Sequence, residues 1–246
     1  MVVSHRPECV PAKHYGREDG ASRVTRVEDE ARFYDEVGRL TRALGGPRQL
    51  AGSSAGDSWP TRGLYLFFEE GAIRWDGSPR ITRIGTHALR QQSKTTLWDR
   101  LAQHRGQVGG RNPGGGNHRG SIFRLHVGAA MIDRDALPSG LQQSWLSNRC
   151  DPAWAHEEDD LERAVSVYIG RMPFVWLAIP TNPDGTNDRG YIERKAIGLL
   201  SVLSGGLERC RATLWMTTWT PKGVTVGDDG RLGLDPLQEE SIASPA

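Results

Sequence analysis

Two stretches, TRGLYLFFEE (61–70) and RITRIGTH (80–87), constrain the fold of this chain more than any other feature. In the first, Leu64, Leu66 and Phe68 alternate with Tyr65, Phe67 and Glu69, the period of two that sends successive side chains to opposite faces of a strand. Gly71 and Asp76-Gly77-Ser78-Pro79 supply turns between the two stretches, so they read as a hairpin with an irregular tip. The unbroken apolar run PFVWLAIP (173–180) predicts a buried strand. A sheet of this size needs helices to cover it, and the remaining segments are read with that requirement in mind.

Three segments carry the helical period. EDEARFYDEVGRLTRALGG (28–46) places Phe33, Val37, Leu40 and Leu44 on one side and ends at Gly45-Gly46-Pro47. DLERAVSVYIGRM (160–172) does the same with Leu161, Val165, Tyr168 and Ile169, and YIERKAIGLLSVLSGG (191–206) is closed by glycines. TTLWDRLAQHRG (95–106) is a shorter helix, and SIFRLHVGAAMI (121–132) reads as a strand entering small residues. The order β-β-α-β-α-β-α predicts an α/β or α+β fold, a small sheet with helices against it.

Composition bounds the rest. Of 246 residues, 37% are apolar and 25% charged, enough for one good-sized domain with some loop or tail. A net charge of +1 makes no global case for a nucleic-acid partner, so any such case is local. Three widely spaced cysteines suit neither a zinc site nor a disulfide framework. The start lacks an apolar signal core and no run reaches the ~18–20 residues of a membrane span, so the expected setting is cytoplasmic. The expected organisation is a disordered N-terminus, amphipathic helix and linker over 1–57, a core domain over 58–204, and a divergent tail over 205–246.

Three polar features sit where apolar ones are expected. Arg100 and His104 share a helical side with Leu97 and Leu101; Glu193 borders the face of Ile197 and Leu200; Tyr65 shares a strand face with Phe67. Charged groups are rarely buried unpaired, because desolvation costs several kcal/mol. Taken singly, each has a structural reading: Arg100 pairing with Asp99, His104 closing a helix end, Glu193 favouring a helix dipole, Tyr65 in the core. Taken together they make a chemical set. A carboxylate holds a divalent metal, an arginine clamps a phosphate, and a tyrosine or a water it orients serves proton transfer.

With these residues the sequence resembles the GIY-YIG endonuclease superfamily. Gly63-Leu64-Tyr65 matches the first motif and Arg83-Ile84-Gly85 the second. LWDRLAQHRG matches the following helix, and Tyr191-Ile192-Glu193 the start of the helix bearing the metal-binding glutamate. The likeness covers about 60–204 in the right order. It implies a small mixed sheet flanked by helices, hydrolysis of phosphodiester bonds in nucleic acid, DNA before RNA, and one Mg²⁺ or Mn²⁺ ion. It also implies roles: Tyr65 helping to activate the attacking water, Arg100 stabilising the phosphate, Glu193 ligating the metal, and His104 an auxiliary group near the phosphate.

The departures matter too. Arg83 stands where the family usually has tyrosine, which either adds a phosphate contact or marks lost catalysis. No convincing substitute appears for the asparagine often found beyond the glutamate. A literal YIG at Tyr168-Ile169-Gly170 is set aside because it lies on a helical pattern. The glycine-rich stretch QVGGRNPGGGNHRG (107–120) fits no phosphate-loop pattern, yet Arg105, Arg111, His118, Arg119 and Arg124 cluster around it. Either these groups line a phosphate backbone, or they balance acids such as those at 157–160. The expectation is thus a metal-dependent endonuclease. The alternative is the same fold with impaired chemistry, serving as a nucleic-acid-binding or protein-interaction module.

Overall fold

A computed structural model describes residues 20–200, apart from 75–76, 91 and 110–112, together with the short antiparallel strands β5 (Val224–Val226) and β6 (Leu232–Leu234). The rest of the expected tail and the first 19 residues lie outside the described residues, as does Arg111.

The central sheet has four strands in the order β1-β4-β2-β3: β1 (Arg48–Gln49), β2 (Gly63–Ile73), β3 (Pro79–Thr86) and β4 (Pro173–Ala178). The expected hairpin and buried strand are there. Every ladder in the sheet is antiparallel, where strands of mixed direction were expected. The hairpin register slips after Phe67 and again toward Ile73, consistent with an irregular tip. Gly63 permits the β2–β4 pairing, since a Cβ there would sit 2.5 Å from the Leu177 carbonyl oxygen.

The alternation in β2 divides two hydrophobic layers. Leu64, Leu66, Phe68, Ile81, Ile84 and Val175 face α1 (Gly20–Ala43) and α6 (Arg189–Leu200). Tyr65, Phe67, Phe174 and Trp176 face α2 (Leu97–Arg105), α3 (Ile122–Arg134) and α5 (Ala155–Arg171). Val37 is buried in the first layer, with Phe33, Tyr34, Leu40 and Leu44 packed beside it. The Gly46 N–H reaches back to the Thr41 carbonyl at 2.9 Å, and both glycines have positive φ (76° and 113°), so α1 stops as its sequence predicts.

One expectation is corrected here. The segment 121–132 is helix α3, not a strand: Ser121 caps it, and Phe123, Val127 and Met131 recur every four residues on the buried side. A further helix, α4 (Ser139–Leu146), buries Leu141 and Trp145 against it, with Gly128 letting the Trp145 indole approach. The residues before 58 pack on the sheet: α1 covers it, β1 pairs with β4, and Leu50 is fully buried in the second layer. At the tip of the hairpin Arg74 meets Glu30 of α1 at 3.4 Å, both buried, with its guanidinium 3.8 Å from the Tyr34 ring centroid. Tyr168-Ile169-Gly170 lies inside α5, off the sheet. Among the described residues no helix is long and apolar enough to cross a membrane.

Candidate active site

The site begins with the register of the hairpin. Tyr65 pairs with Gly85, and Phe67 with Arg83, so all four face the α2–α3 layer. A Cβ at Gly85 would lie 2.3 Å from the Tyr65 hydroxyl oxygen. Glycine is therefore required for the Tyr65 ring to lie across β3. From there Tyr65 Oη reaches His104 Nε2 at 2.7 Å, with the rings edge to face at 5.4 Å. His104 Nδ1 lies 2.8 Å from Ser121 Oγ. Phe123 packs edge-on against His104, and Phe67 against Tyr65.

α2 presents its groups because its start is fixed. The Thr96 side chain accepts the Asp99 N–H, and the Asp99 carboxylate accepts the Thr96 N–H at 2.8 Å. The Thr96 backbone N–H first, and the Thr96 side chain after it, hold the Asp99 carboxyl below its usual value. Leu97, Leu101 and His104 then fall on the buried face. The expectation that Arg100 points inward with His104 is met only in part. His104 is fully buried, whereas Arg100, one turn back, is half-exposed at the rim and bonds to Gln103.

Glu193 enters from α6, half-buried. Burial raises its carboxyl above the usual value; Arg83, the Thr86 backbone N–H, Arg100 and Arg194 pull the other way without prevailing. His104 is depressed well below its usual value, first by burial, then by the charges of Arg100, Arg83 and Arg124. Arg83 and Arg100 thus act on both His104 and Glu193, which ties β3, α2 and α6 into one electrostatic neighbourhood around Tyr65. Among the described residues no three carboxylate, histidine or cysteine groups converge as a metal cage. Glu193, a desolvated carboxylate in the field of Arg83 and Arg100, is still a donor of the kind that suits Mg²⁺, which is commonly held by one or two carboxylates, substrate phosphate and water.

The basic cluster expected around the glycine-rich loop is different in kind. Arg124 is fully buried, with Nε 2.9 Å from Glu162 and Nη1 2.8 Å from the His104 carbonyl. His118 is buried, stacked on Trp145 at 3.6 Å, and bonds to Glu162 at 2.8 Å. Burial opposes ionisation of Glu162, but the His118 and Arg124 hydrogen bonds prevail and its carboxyl stays below its usual value. Arg119 forks onto Glu158 at 2.8 and 3.0 Å. Arg105 donates to the Ser53 carbonyl and lies over the Trp98 ring. Arg105, His118, Arg119 and Arg124 thus bind protein acids and carbonyls, while Arg111 lies outside the described residues.

Ser121 escaped the sequence reading altogether. The signal that would have found it is its place one residue before a helix, hidden once that helix was read as a strand.

No match was found among curated proteins or among solved structures. The family model for the GIY-YIG domain matches residues 24–227, beginning within α1. A match over most of the chain, on a sheet that carries Tyr65 and Gly85 side by side, identifies this protein as a member of the GIY-YIG family, a family of nucleases that act on nucleic acids.

Proposed function

We propose that the protein is a divalent-metal-dependent endonuclease that hydrolyses phosphodiester bonds, with DNA as its substrate. The observation that carries this reading is the contact of Tyr65 with His104 inside the field of Arg83 and Arg100, a field that also reaches Glu193. Tyr65, held by its hydrogen bond with His104, orients the attacking water. Arg100, half-exposed at the rim, takes a phosphate oxygen through its planar fork, and Arg83 adds positive potential where negative charge develops. Glu193 would hold Mg²⁺ or Mn²⁺, which when bound supplies Lewis-acid polarisation of the phosphate.

A second reading has one observation in its favour. Tyr65 and His104 are both fully buried, so water reaches the hydroxyl only when the side chains over it give way. A protein that never opens there keeps the fold and the affinity without the chemistry.

Plasmid nicking separates the two. With Mg²⁺ the wild type should nick supercoiled DNA. Glu193→Ala should lower the rate about 10²-fold or more while leaving the circular dichroism spectrum unchanged. Undiminished nicking by that variant would remove Glu193 from the site. Metal-independent DNA binding with no cleavage by the wild type would select the second reading.

A further inference from the structure

The cations beside Arg100 differ from those around the glycine-rich loop in one respect: no carboxylate neutralises them. Arg119 and Arg124 are committed to Glu158 and Glu162, and Arg74 to Glu30. Among the described residues Arg62, Arg90, Lys94, Arg100 and Arg189 make no ion pair with an acid.

They meet at the end of the sheet where β3 runs into α2. Arg189, fully buried in the first turn of α6, donates to the Ile179 and Ala88 carbonyls at 2.9 and 3.0 Å. Arg62, half-exposed just before β2, donates to the Ser93 and Thr95 carbonyls, the latter at 2.7 Å. Two guanidinium groups thus pin the segment between β3 and α2 at its two ends. Within it the Ser93 N–H reaches the Arg90 carbonyl at 3.1 Å and closes a turn, and Asn187 donates to the Leu89 carbonyl at 3.3 Å. Ala88 is held at a φ of 51°, a conformation that a free chain seldom adopts there. Carbonyls satisfy the N–H groups of the pins but carry no net charge, so the positive charge remains. Arg90 and Lys94 stand exposed on the pinned segment.

His87 shows that the field joins that of Arg100. It is buried, with Nε2 3.2 Å from the Thr61 carbonyl. Burial lowers its pKa first, the bond to Thr61 opposes this, and the charges of Arg62, Arg189 and Arg100 lower it further. Of the acids on these elements, Asp99 is held in the α2 cap, Asp188 lies exposed before α6, and Glu193 is the candidate metal ligand. Arg100 stands four residues past the Thr96 cap, about 6 Å along α2 at ~1.5 Å per residue. Phosphates of one strand recur about every 3.4 Å of duplex axis. A backbone held by Arg100 and running toward the start of α2 brings its next phosphates to the pinned segment.

We propose that residues 87–96 form the track on which the DNA backbone leaves the site, with Arg90 and Lys94 taking phosphates beside the one that Arg100 holds. Arg62 and Arg189 keep the track in place and positive. The proposal rests on the nuclease reading and adds the side toward which the strand runs. Two long, exposed cations on a preformed turn contact phosphate without reading bases, so the binding is independent of sequence.

The salt dependence of DNA binding by the full chain tests this, measured on a fluorescent duplex with EDTA present so that no strand is cut. Each phosphate contact contributes about 0.9 to the slope of log affinity against log salt. Arg90→Gln with Lys94→Gln should weaken binding at low salt and flatten the slope by about 1.8. Arg42→Gln with Arg171→Gln removes the same charge from exposed positions at the far end of the sheet, and should leave the slope as in the wild type. An unchanged slope in the first pair overturns the proposal, and so does equal flattening in the second, or a wild type that binds no DNA. Binding that flattens as expected in a protein that never nicks with Mg²⁺ removes the nuclease chemistry and keeps the track. Nicking by a wild type whose first variant pair binds with full slope does the reverse.

Discussion

At the scale of single residues, Gly85 and Glu193 carry the sharpest expectations. Any side chain at Gly85 meets the Tyr65 ring, whose hydroxyl would be 2.3 Å from the new carbon. Gly85→Ala should cost about 1–3 kcal/mol of stability, seen as a lower denaturant midpoint, because a rigid ring packed between sheet and helix cannot move freely. Relaxing that clash also pulls Tyr65 from His104, so nicking should fall in the same variant. Glu193 gives a pH signature. Its folded carboxyl is raised above the usual value, so the folded chain holds that proton to higher pH than the unfolded one. The associated stability is complete below the ordinary carboxyl value, about pH 4.3, and is lost as pH rises through the raised value. Glu193→Gln should therefore be more stable than wild type at about pH 7, with the gap closing at about pH 4. Urea denaturation at the two pH values measures it. Mg²⁺ should narrow the gap at neutral pH by stabilising the wild type alone.

At the scale of elements, the hairpin was legible because its alternation is local: Tyr65 and Phe67 face one layer, Leu64 and Leu66 the other, whatever lies around them. The α2 and α6 segments were legible by their helical period. With them came Tyr65, Arg100, His104 and Glu193 as candidates, although no local pattern shows that Tyr65 bonds to His104. α3 was not legible. Its first residues, SIFRLHV, satisfy a period of two as well as one of four, and the decision falls to Ser121 capping, Trp145 packing on Gly128, and Phe123 under the sheet. The partners of the basic residues were not legible for the same reason. Arg119 and Arg124 find Glu158 and Glu162, one turn apart on α5, some forty residues along the chain. Arg124→Ala should cost about 3–5 kcal/mol, since it leaves the Glu162 carboxylate buried with one cation fewer. Equilibrium unfolding checks this, and affinity for DNA should change little in whatever fraction stays folded.

At the scale of the whole molecule, the family match begins within α1, and the packing gives the reason. Val37 and its neighbours lie over Leu64, Leu66, Phe68 and Val175, and the Glu30 carboxylate meets Arg74 where the hairpin ends. The sequence between 51 and 60 looks like a tether between independent parts because it is small and polar, a local property that carries no information about what its two ends touch. The first helix is a roof and Glu30 its latch. A chain begun at residue 58 would carry every candidate catalytic group yet leave α6 alone over one side of its sheet, with the patch under α1 bare to water. Such a fragment should stain with hydrophobic dyes and run as aggregates on size exclusion, while the chain from residue 20 runs as a discrete species.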